Sequence, residues 1–594
     1  MQTKTIDRIG DSWLSQQPIY RTDLDRCAPA DALATEPRLR RWRTLTYEID
    51  SLSGTMLLAG PETAAPTITY PLNLRGLHAV SIGVLPITSS EEGHQLAILL
   101  KRSGDETFTA LTLPPQTSGG PHHHEIVEMF WRITDLTGHG LQVGQNSARV
   151  APADNAGSFE CAPARVAYFK LIPLTDAETH AFQSDQQGSD TRRLFAHNDA
   201  HGPHYQYRLT TPEHVRREIE PYRDTDFSRM YWEAGGGDQT SYFSEIGRRH
   251  TIDLADFGRR GDRLHVESWH EFEGQGIDPF DVALEYTHEI GLQFHASYRV
   301  AGFHYPPPLD HFNTGDSFYK RHPEWRGVDR TGRHTPRMAY SFPEVRQFVI
   351  SLLREMAQRP IDGICLLYNR RMPLVEYEPL IVEEFKQQFG EDPHQLDAHD
   401  SRWLSYRTGV LTEFMREVRA AMDQEGRAQG RSKRIEISAI VGGTEGENLI
   451  NGIDLATWVG EGLVDTLIPY TSGSNYDSSV TAWTDPKQLE YFVNLVRGTP
   501  CVLAPNLMPR HMTPEEFRQR ASTVYSAGAE NMFFWDCAGG SGRANYRDMW
   551  NALRRLGHRD EIDAWRASGE SNLSVVRVEL RKLGDWDLSY VTPG

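Results

Sequence analysis

The amino-acid sequence predicts an α/β protein in two parts, an N-terminal β-sandwich followed by a (β/α)8 barrel of the TIM type. Three observations carry this expectation. From 193 to 538, eight apolar strand-like runs alternate with helix-like segments. From about 42 to 175, short strand patterns follow one another across Gly and Pro turns with almost no helical periodicity. Between the two textures lies "HAFQSDQQGSDTRR" at 180–193, polar and of the composition expected at a domain boundary.

In chain order, residues 1–41 are polar and weakly periodic and are expected to form an N-terminal arm. Residues 42–179 are the expected sandwich, with strands such as "RTLTYEID", "HAVSIGVLP", "HEIVEMFWRI" and "RVAYFKLIPL". Residues 180–192 are the expected linker, 193–565 the barrel, and 566–594 a set of C-terminal β-strands that could join the sandwich. The eight barrel strands are expected at "RLFAHND", "SRMYWEAG", "LQFHASYR", "GICLLYNR", "RIEISAIV", "VDTLIPYT", "CVLAPNLM" and "NMFFWDCA". Helical segments between them begin with Thr, Ser or Asp ahead of Pro or an acid, as in "TPEHV", "DPFDV" and "TPEEF", and several end in Gly. A doubly wound sheet would need a Gly-rich phosphate loop after the first strand, and "AHNDAHGPHY" is not one. The long segment 300–340, with its Trp, Tyr and Arg, reads as a folded lid.

Composition narrows the function. A chain of 594 residues is too long for one ordinary core, and its 39% hydrophobic content is that of a globular protein. The net charge of −19 argues against a nucleic-acid partner. Five scattered cysteines without a Cys-x-x-Cys pair suggest neither a zinc site nor a disulfide framework. The first residues lack the apolar stretch of a signal peptide, and no run approaches the roughly 20 apolar residues of a membrane helix. The chain therefore reads as cytoplasmic with no membrane partner, and self-association is left open.

In a TIM barrel the chemistry sits at the C-terminal ends of the strands. Those ends offer His197, Asp199 and His201; Trp232, Glu233 and Asp238; Tyr298, Arg299 and His304; Tyr368, Asn369, Arg370, Arg371, Glu376 and Glu378; Tyr470, Ser472 and Asn475; Asn506, Arg510 and His511; and Trp535, Asp536 and Arg543. Carboxylates at several ends supply the pair that glycoside hydrolysis needs, one proton donor and one base or nucleophile. The candidates are Glu376, Glu378, Glu233, Asp199 and Asp536. Trp and Tyr suit stacking on sugar faces, although each alone is as well explained by core packing. The arginines and histidines either neutralise neighbouring carboxylates or hold an anionic sugar, a uronate or sulfate ester, in guanidinium forks.

A second chemistry is open at the first strand end. In "HNDAH", His197, Asp199 and His201 alternate, and on an extended strand they share one face. Such a run could hold one divalent metal and resembles the His-x-His of metal-dependent amidohydrolases. The fifth and sixth strand ends supply no further histidine. No cofactor is expected on the first reading, one divalent metal on this one, which makes the protein a metal-dependent lyase, isomerase or hydrolase.

The segments "HPEWRGVDRTGR" and "SFPEVRQFVISLLREMAQRPIDGICLLYNRRMPLVEYEPLIVEEFKQQFGEDP" resemble the family-10-like glycosyl hydrolases, TIM-barrel proteins, some preceded by a β-domain. The resemblance implies a glycosidase acting on an oligo- or polysaccharide. The chain departs from relatives that carry two acids on the fourth strand, because Cys365 and Leu367 stand there. A non-catalytic carbohydrate-binding protein is therefore a further reading. On the glycosidase reading, the loop after the fourth strand replaces the missing acids. Glu376 and Glu378 are expected to face one way, with Arg370 holding one ionised while the less solvated one stays protonated, and to work against Glu233, Asp199 or Asp536.

Overall fold

The computed structural model describes residues 10–87, 95–114, 125–149, 160–249, 259–307, 309–313, 315–471, 482–508, 512–537, 547–568 and 576–588. The protein is mixed α/β. Its N-terminal part builds two sheets from the strand patterns between 42 and 175. The larger runs through Trp42–Ile49, Leu52–Ala59, Ala164–Pro173, Leu77–Val84 and Glu125–Asp135, all antiparallel. The smaller joins Ile68–Tyr70, Leu141–Gln145, Leu96–Arg102 and Thr109–Leu113. Leu57, Val80, Val127 and Phe169 of the larger sheet meet Ile68, Ile98, Leu141 and Val143 of the smaller in one buried cluster. Period-two alternation turns those residues inward. The strand Glu125–Asp135 is apolar on both faces because its other side is covered too: Phe130 and Ile133 pack with Ile172, and the Arg554 guanidinium lies 5.0 Å from the Phe130 ring.

Segments from the N-terminal and C-terminal regions both enter the larger sheet. Ile19–Arg21 pairs with Phe169–Leu171, and Val576–Leu583 pairs with both Glu125–Asp135 and Trp42–Ile49. The stretch expected as a linker is instead helical as far as Gln187. Helix Asp176–Gln187 opens on a capping box in which the Thr175 hydroxyl accepts from the Glu178 amide at 3.2 Å and the Glu178 carboxylate accepts from the Thr175 amide at 2.8 Å. The Thr-x-x-Glu spacing announces this helix. Its lack of any buried residue removes the apolar period by which helices are recognised.

Eight parallel strands form the second part: Leu194–Asn198, Phe227–Gly236, Gln293–Arg299, Gly363–Leu367, Glu436–Gly442, Thr466–Tyr470, Val502–Leu503 and Met532–Trp535. From the first to the seventh, each pairs with the next in the series. The first also pairs with the eighth, from Leu194↔Met532 to His197↔Trp535. The seventh is short: Pro469 of the sixth strand has no N–H to give it, and Pro505 has none to give the eighth. The ladder resumes past it, where the Leu507 amide donates to the Phe533 carbonyl at 2.9 Å and the Phe533 amide to the Pro505 carbonyl at 3.0 Å. Helices lie between the strands, and their starts obey local chemistry. Thr211, Asp278 and Thr513 accept from the amides of His214, Phe280 and Glu516, each with Pro at the first helical position.

The segment 300–340 is folded. It carries the antiparallel hairpin Arg326–Val328/His334–Met338, and Phe318 stacks on Phe348 of helix Pro343–Ala357 with ring centroids 4.1 Å apart. Among the described residues, no helix is long and apolar enough to cross a membrane.

Phe533 is fully buried where the first, seventh and eighth strands meet, and its ring packs 5.4 Å from Tyr231. Phe533→Ala is expected to cost about 3–5 kcal/mol in denaturant-induced unfolding. A loss below about 1 kcal/mol would show that this junction does not support the sheet.

Candidate active site

The first and eighth strands place one end of the site. Beyond His197↔Trp535 the Asp536 amide donates to the His197 carbonyl at 2.8 Å, and Asp536, at φ +46°, turns the chain away. Its Oδ1 accepts from the Asp199 amide at 3.0 Å, while Asp199 Oδ1 accepts from the Gly202 amide at 2.8 Å. On the second strand, Tyr231 and Glu233 share the inner face, where the Tyr231 hydroxyl meets Ser438 Oγ from the fifth strand at 3.1 Å. Arg299, ending the third strand, donates from Nε to Glu233 Oε1 at 2.6 Å. Glu233 Oε2 is buried and has no hydrogen-bond partner among the described residues.

Glu233 is 6% exposed, and burial pushes its carboxyl above the ordinary value. Arg299 pulls it down, Asp199 pushes it up and Arg370 pulls it down again, and burial outweighs the guanidinium groups. Trp535 sits centrally. Its ring is 5.7 Å from the Arg299 guanidinium, 5.4 Å from that of Arg370, 5.8 Å from Tyr470 and 4.0 Å from His197. Side chains from the first, third and sixth strands and from the loop after the fourth thus reach one residue of the eighth. Arg371, at φ +59°, lies 3.9 Å over the Tyr305 ring and donates to the His304 carbonyl at 2.9 Å. Burial lowers the Arg371 guanidinium, and Arg299 and Arg370 lower it further, so the three cations are near enough to repel.

Glu376 and Glu378 belong elsewhere. Glu376 pairs with Arg337 of the hairpin, where Arg370 was expected to hold it. Glu378 is fully buried at the start of helix Pro379–Phe389 and accepts from the amides of Glu376 at 3.0 Å and Val328 at 3.3 Å. The two glutamates fasten the hairpin to this loop: Glu376 turns to Arg337, and Glu378 to the Val328 and Glu376 amides and the Ser341 hydroxyl. Burial raises Glu378 to about 7, against its backbone donors.

The remaining candidates divide by the face they occupy. His197 is 0% exposed between Trp535 and Phe533. Trp232 alternates with Glu233 and is buried in the core. Tyr298 and Tyr368 are also buried, their hydroxyls donating to the Gly237 carbonyl at 2.6 Å and to Met415 Sδ at 3.1 Å. His304 stacks on Tyr319 at 4.3 Å. Trp535 is 2% exposed, so a ligand meets the guanidinium groups before the indole. Asn506 is buried at the seventh strand end. Ser472, Asn475, Arg510, His511 and Arg543 lie outside the described residues.

The shared face expected for His197, Asp199 and His201 is lost. The strand ends at Asn198, and Ala200 at φ +52° breaks the alternation. His201 instead packs against Tyr205 at 4.4 Å and His265 at 4.8 Å. Among the described residues, no group of three or more His, Cys, Asp or Glu is placed to hold a metal ion. Sequence reasoning missed Tyr305, which lies inside the lid rather than at a strand end, and Thr471, the residue after the sixth strand. Thr471 stands between Tyr470 and Ser472, both of which the sequence singles out, and a lone Thr gives no signal of its own.

Residues 255–499 match the family model described as glycosyl hydrolase-like 10, the family that the fourth-strand region resembles. No curated protein matches the chain. Similar solved structures include α-L-fucosidase isoenzyme 2 from Paenibacillus thiaminolyticus, at 14% identity over 64% of this chain and 50% of that one, TM-score 0.38. The β-galactosidase of the psychrophilic Marinomonas ef1 is similar at 12% identity over 64% and 61%, TM-score 0.37. An endo-1,4-β-D-mannanase from Thermotoga petrophila is similar at 13% over 59% and 89%, TM-score 0.35. The match thus spans about half of the fucosidase and three-fifths of the galactosidase. Likenesses this distant do not carry activity from one protein to another.

Glu378 has a measurable signature. Because its folded value of about 7 lies above its ordinary 4.5, it stabilises the fold while protonated. That contribution is complete below about pH 4.5 and is lost as pH rises through about 7. Glu378→Gln is expected to flatten stability over this window, removing a pH-dependent difference on the order of 3 kcal/mol. Unfolding midpoints measured from pH 4 to 8 check this, and an unchanged slope contradicts it.

Proposed function

We propose that the protein is a glycoside hydrolase, a (β/α)8 barrel with an N-terminal β-sandwich accessory domain, acting on an oligo- or polysaccharide that bears carboxylate or sulfate groups. The observation that carries this is Glu233. It is a buried carboxyl, tied to Arg299 through one oxygen and unpartnered at the other among the described residues, with Asp199 beside it. A carboxyl raised by burial keeps its proton to higher pH and can deliver it to a glycosidic oxygen. Asp199 and Asp536, joined through the Asp199 amide, supply the second carboxylate, as base or nucleophile. Arg299 limits how far burial raises Glu233, so the acid is not locked neutral at every pH.

The anionic part of the reading is supported by the guanidinium groups. Arg299, Arg370 and Arg371 gather at the strand ends of a chain with net charge −19, and Arg370 is exposed there. Their mutual repulsion is relieved when a carboxylate or sulfate of the substrate lies among them. A second reading, a non-catalytic carbohydrate-binding protein, is favoured by one observation: Cys365 and Leu367, where relatives carry acids, are 0% and 3% exposed and bring no carboxylate to the mouth.

Three outcomes test this. Glu233→Gln should reduce turnover of an oligouronate by about 10²–10⁴-fold without loss of fold, while binding survives. Arg299→Met should move the alkaline limb of the pH profile upward, because it removes the group that lowers Glu233. Arg370→Ala should lower kcat/KM for a uronate about ten-fold or more and leave a neutral oligosaccharide unaffected. Wild-type turnover of the neutral sugar equal to or above that of its uronate counterpart contradicts the anionic reading. Binding without turnover of either favours the non-catalytic one.

A further inference from the structure

We infer that Thr471 and Asn506 form a hydroxyl-binding subsite facing the arginines, with Asn369 bordering it on the arginine side, so that the ligand carries its charged group on one side and free hydroxyls on the other. The inference rests on the carbohydrate reading and names which part of the sugar each side of the mouth takes. Both amide atoms of Asn369, both of Asn506 and the Thr471 hydroxyl are buried without a hydrogen-bond partner among the described residues. A buried polar group without a partner is costly, and several at one rim are the mark of a place where a ligand or its displaced water supplies the bonds.

Their placement is specific. Asn369 immediately precedes Arg370, whose guanidinium lies 5.4 Å from Trp535. Thr471 immediately follows Tyr470, whose ring is 5.8 Å from the same indole. Asn506 pairs with Phe533, two residues before it. The Asn506 backbone is fully engaged, its amide donating to the Pro469 carbonyl at 3.0 Å and its carbonyl accepting from Trp483 Nε1 at 2.8 Å. The side chain is thus held in place while its own donor and acceptor stay unused. A primary amide offers both a donor and an acceptor, the combination that adjacent sugar hydroxyls complete, and it carries no charge with which to prefer an anion. Thr471 and Asn506 follow the sixth and seventh strands, whereas Arg299 ends the third and Asn369, Arg370 and Arg371 follow the fourth.

The test compares Asn506→Leu and the isosteric Thr471→Val with Arg370→Ala, using calorimetric titration and ligand-induced melting shifts. The probes are defined oligomers of glucose, mannose and galactose and of the corresponding uronates. The subsite predicts that Asn506→Leu and Thr471→Val each weaken the sugars that the wild type binds, neutral and uronate alike, by about ten-fold. The melting temperature of the free protein should stay level or rise, since an unpaired buried polar group has been removed. Arg370→Ala should weaken the uronates alone. If Asn506→Leu fails to fold, Thr471→Val carries the test. Wild-type affinity in the subsite variants, or a loss confined to uronates, overturns the subsite and leaves the glycosidase reading standing. A wild type that binds none of the probes overturns both.

Discussion

Parallel pairing of Leu194–His197 with Met532–Trp535 is the constraint on which the site depends. It brings together Asp199 and Asp536, 337 residues apart, close enough for one to accept from the other's amide. Loop closure over that length is entropically unfavourable. Intervening strands offset it through consecutive hydrogen-bonded neighbours and a core from which water is excluded. Once the first and eighth strands are adjacent, the other strand ends have one centre to face. Trp535 occupies it, with His197, Arg299, Arg370 and Tyr470 around its ring.

Charge at that centre is set by competition between burial and guanidinium groups. Burial acts on Glu233 and Arg371 alike, raising the one and lowering the other, so each is pushed toward its neutral form. Arg299 resists this at Glu233 by direct hydrogen bonding, and its own guanidinium is held well above the ordinary value by Glu233 although the side chain is largely buried. The result is a carboxyl poised by its surroundings, with polar atoms at neighbouring strand ends that are unpartnered among the described residues. Removing any one group leaves the others less well compensated, which is why charge at this rim is expected to couple strongly to what binds there.

Much of this was legible in the chain. The eight strand runs are mostly apolar because each is largely buried on both faces, and that signal survives without knowing the fold. Helix starts such as Thr211 and Thr513 follow from cap chemistry. Which strand-end side chains converge was less legible. Trp232 and Glu233 differ by one position, and a period of two sends them to opposite faces. Glu376 and Glu378 look as catalytic as Glu233 in sequence, yet the hairpin 326–338 lies against them and takes their oxygens. Local alternation cannot reveal that, because the partner comes from another loop. The His-x-Asp-x-His run failed for a simpler reason: a single positive φ at Ala200 ends the extended backbone that the pattern presumes.

A crystal structure of the Glu233→Gln protein with a bound oligouronate tests the central claim most directly. The account predicts a glycosidic oxygen within hydrogen-bond reach of residue 233, with Asp199 or Asp536 across the ring from it and the sugar's carboxylate among Arg299, Arg370 and Arg371. A ligand seated away from Trp535, for instance in the groove between helices Pro379–Phe389 and Ser401–Ala428 beside Tyr406, would contradict it.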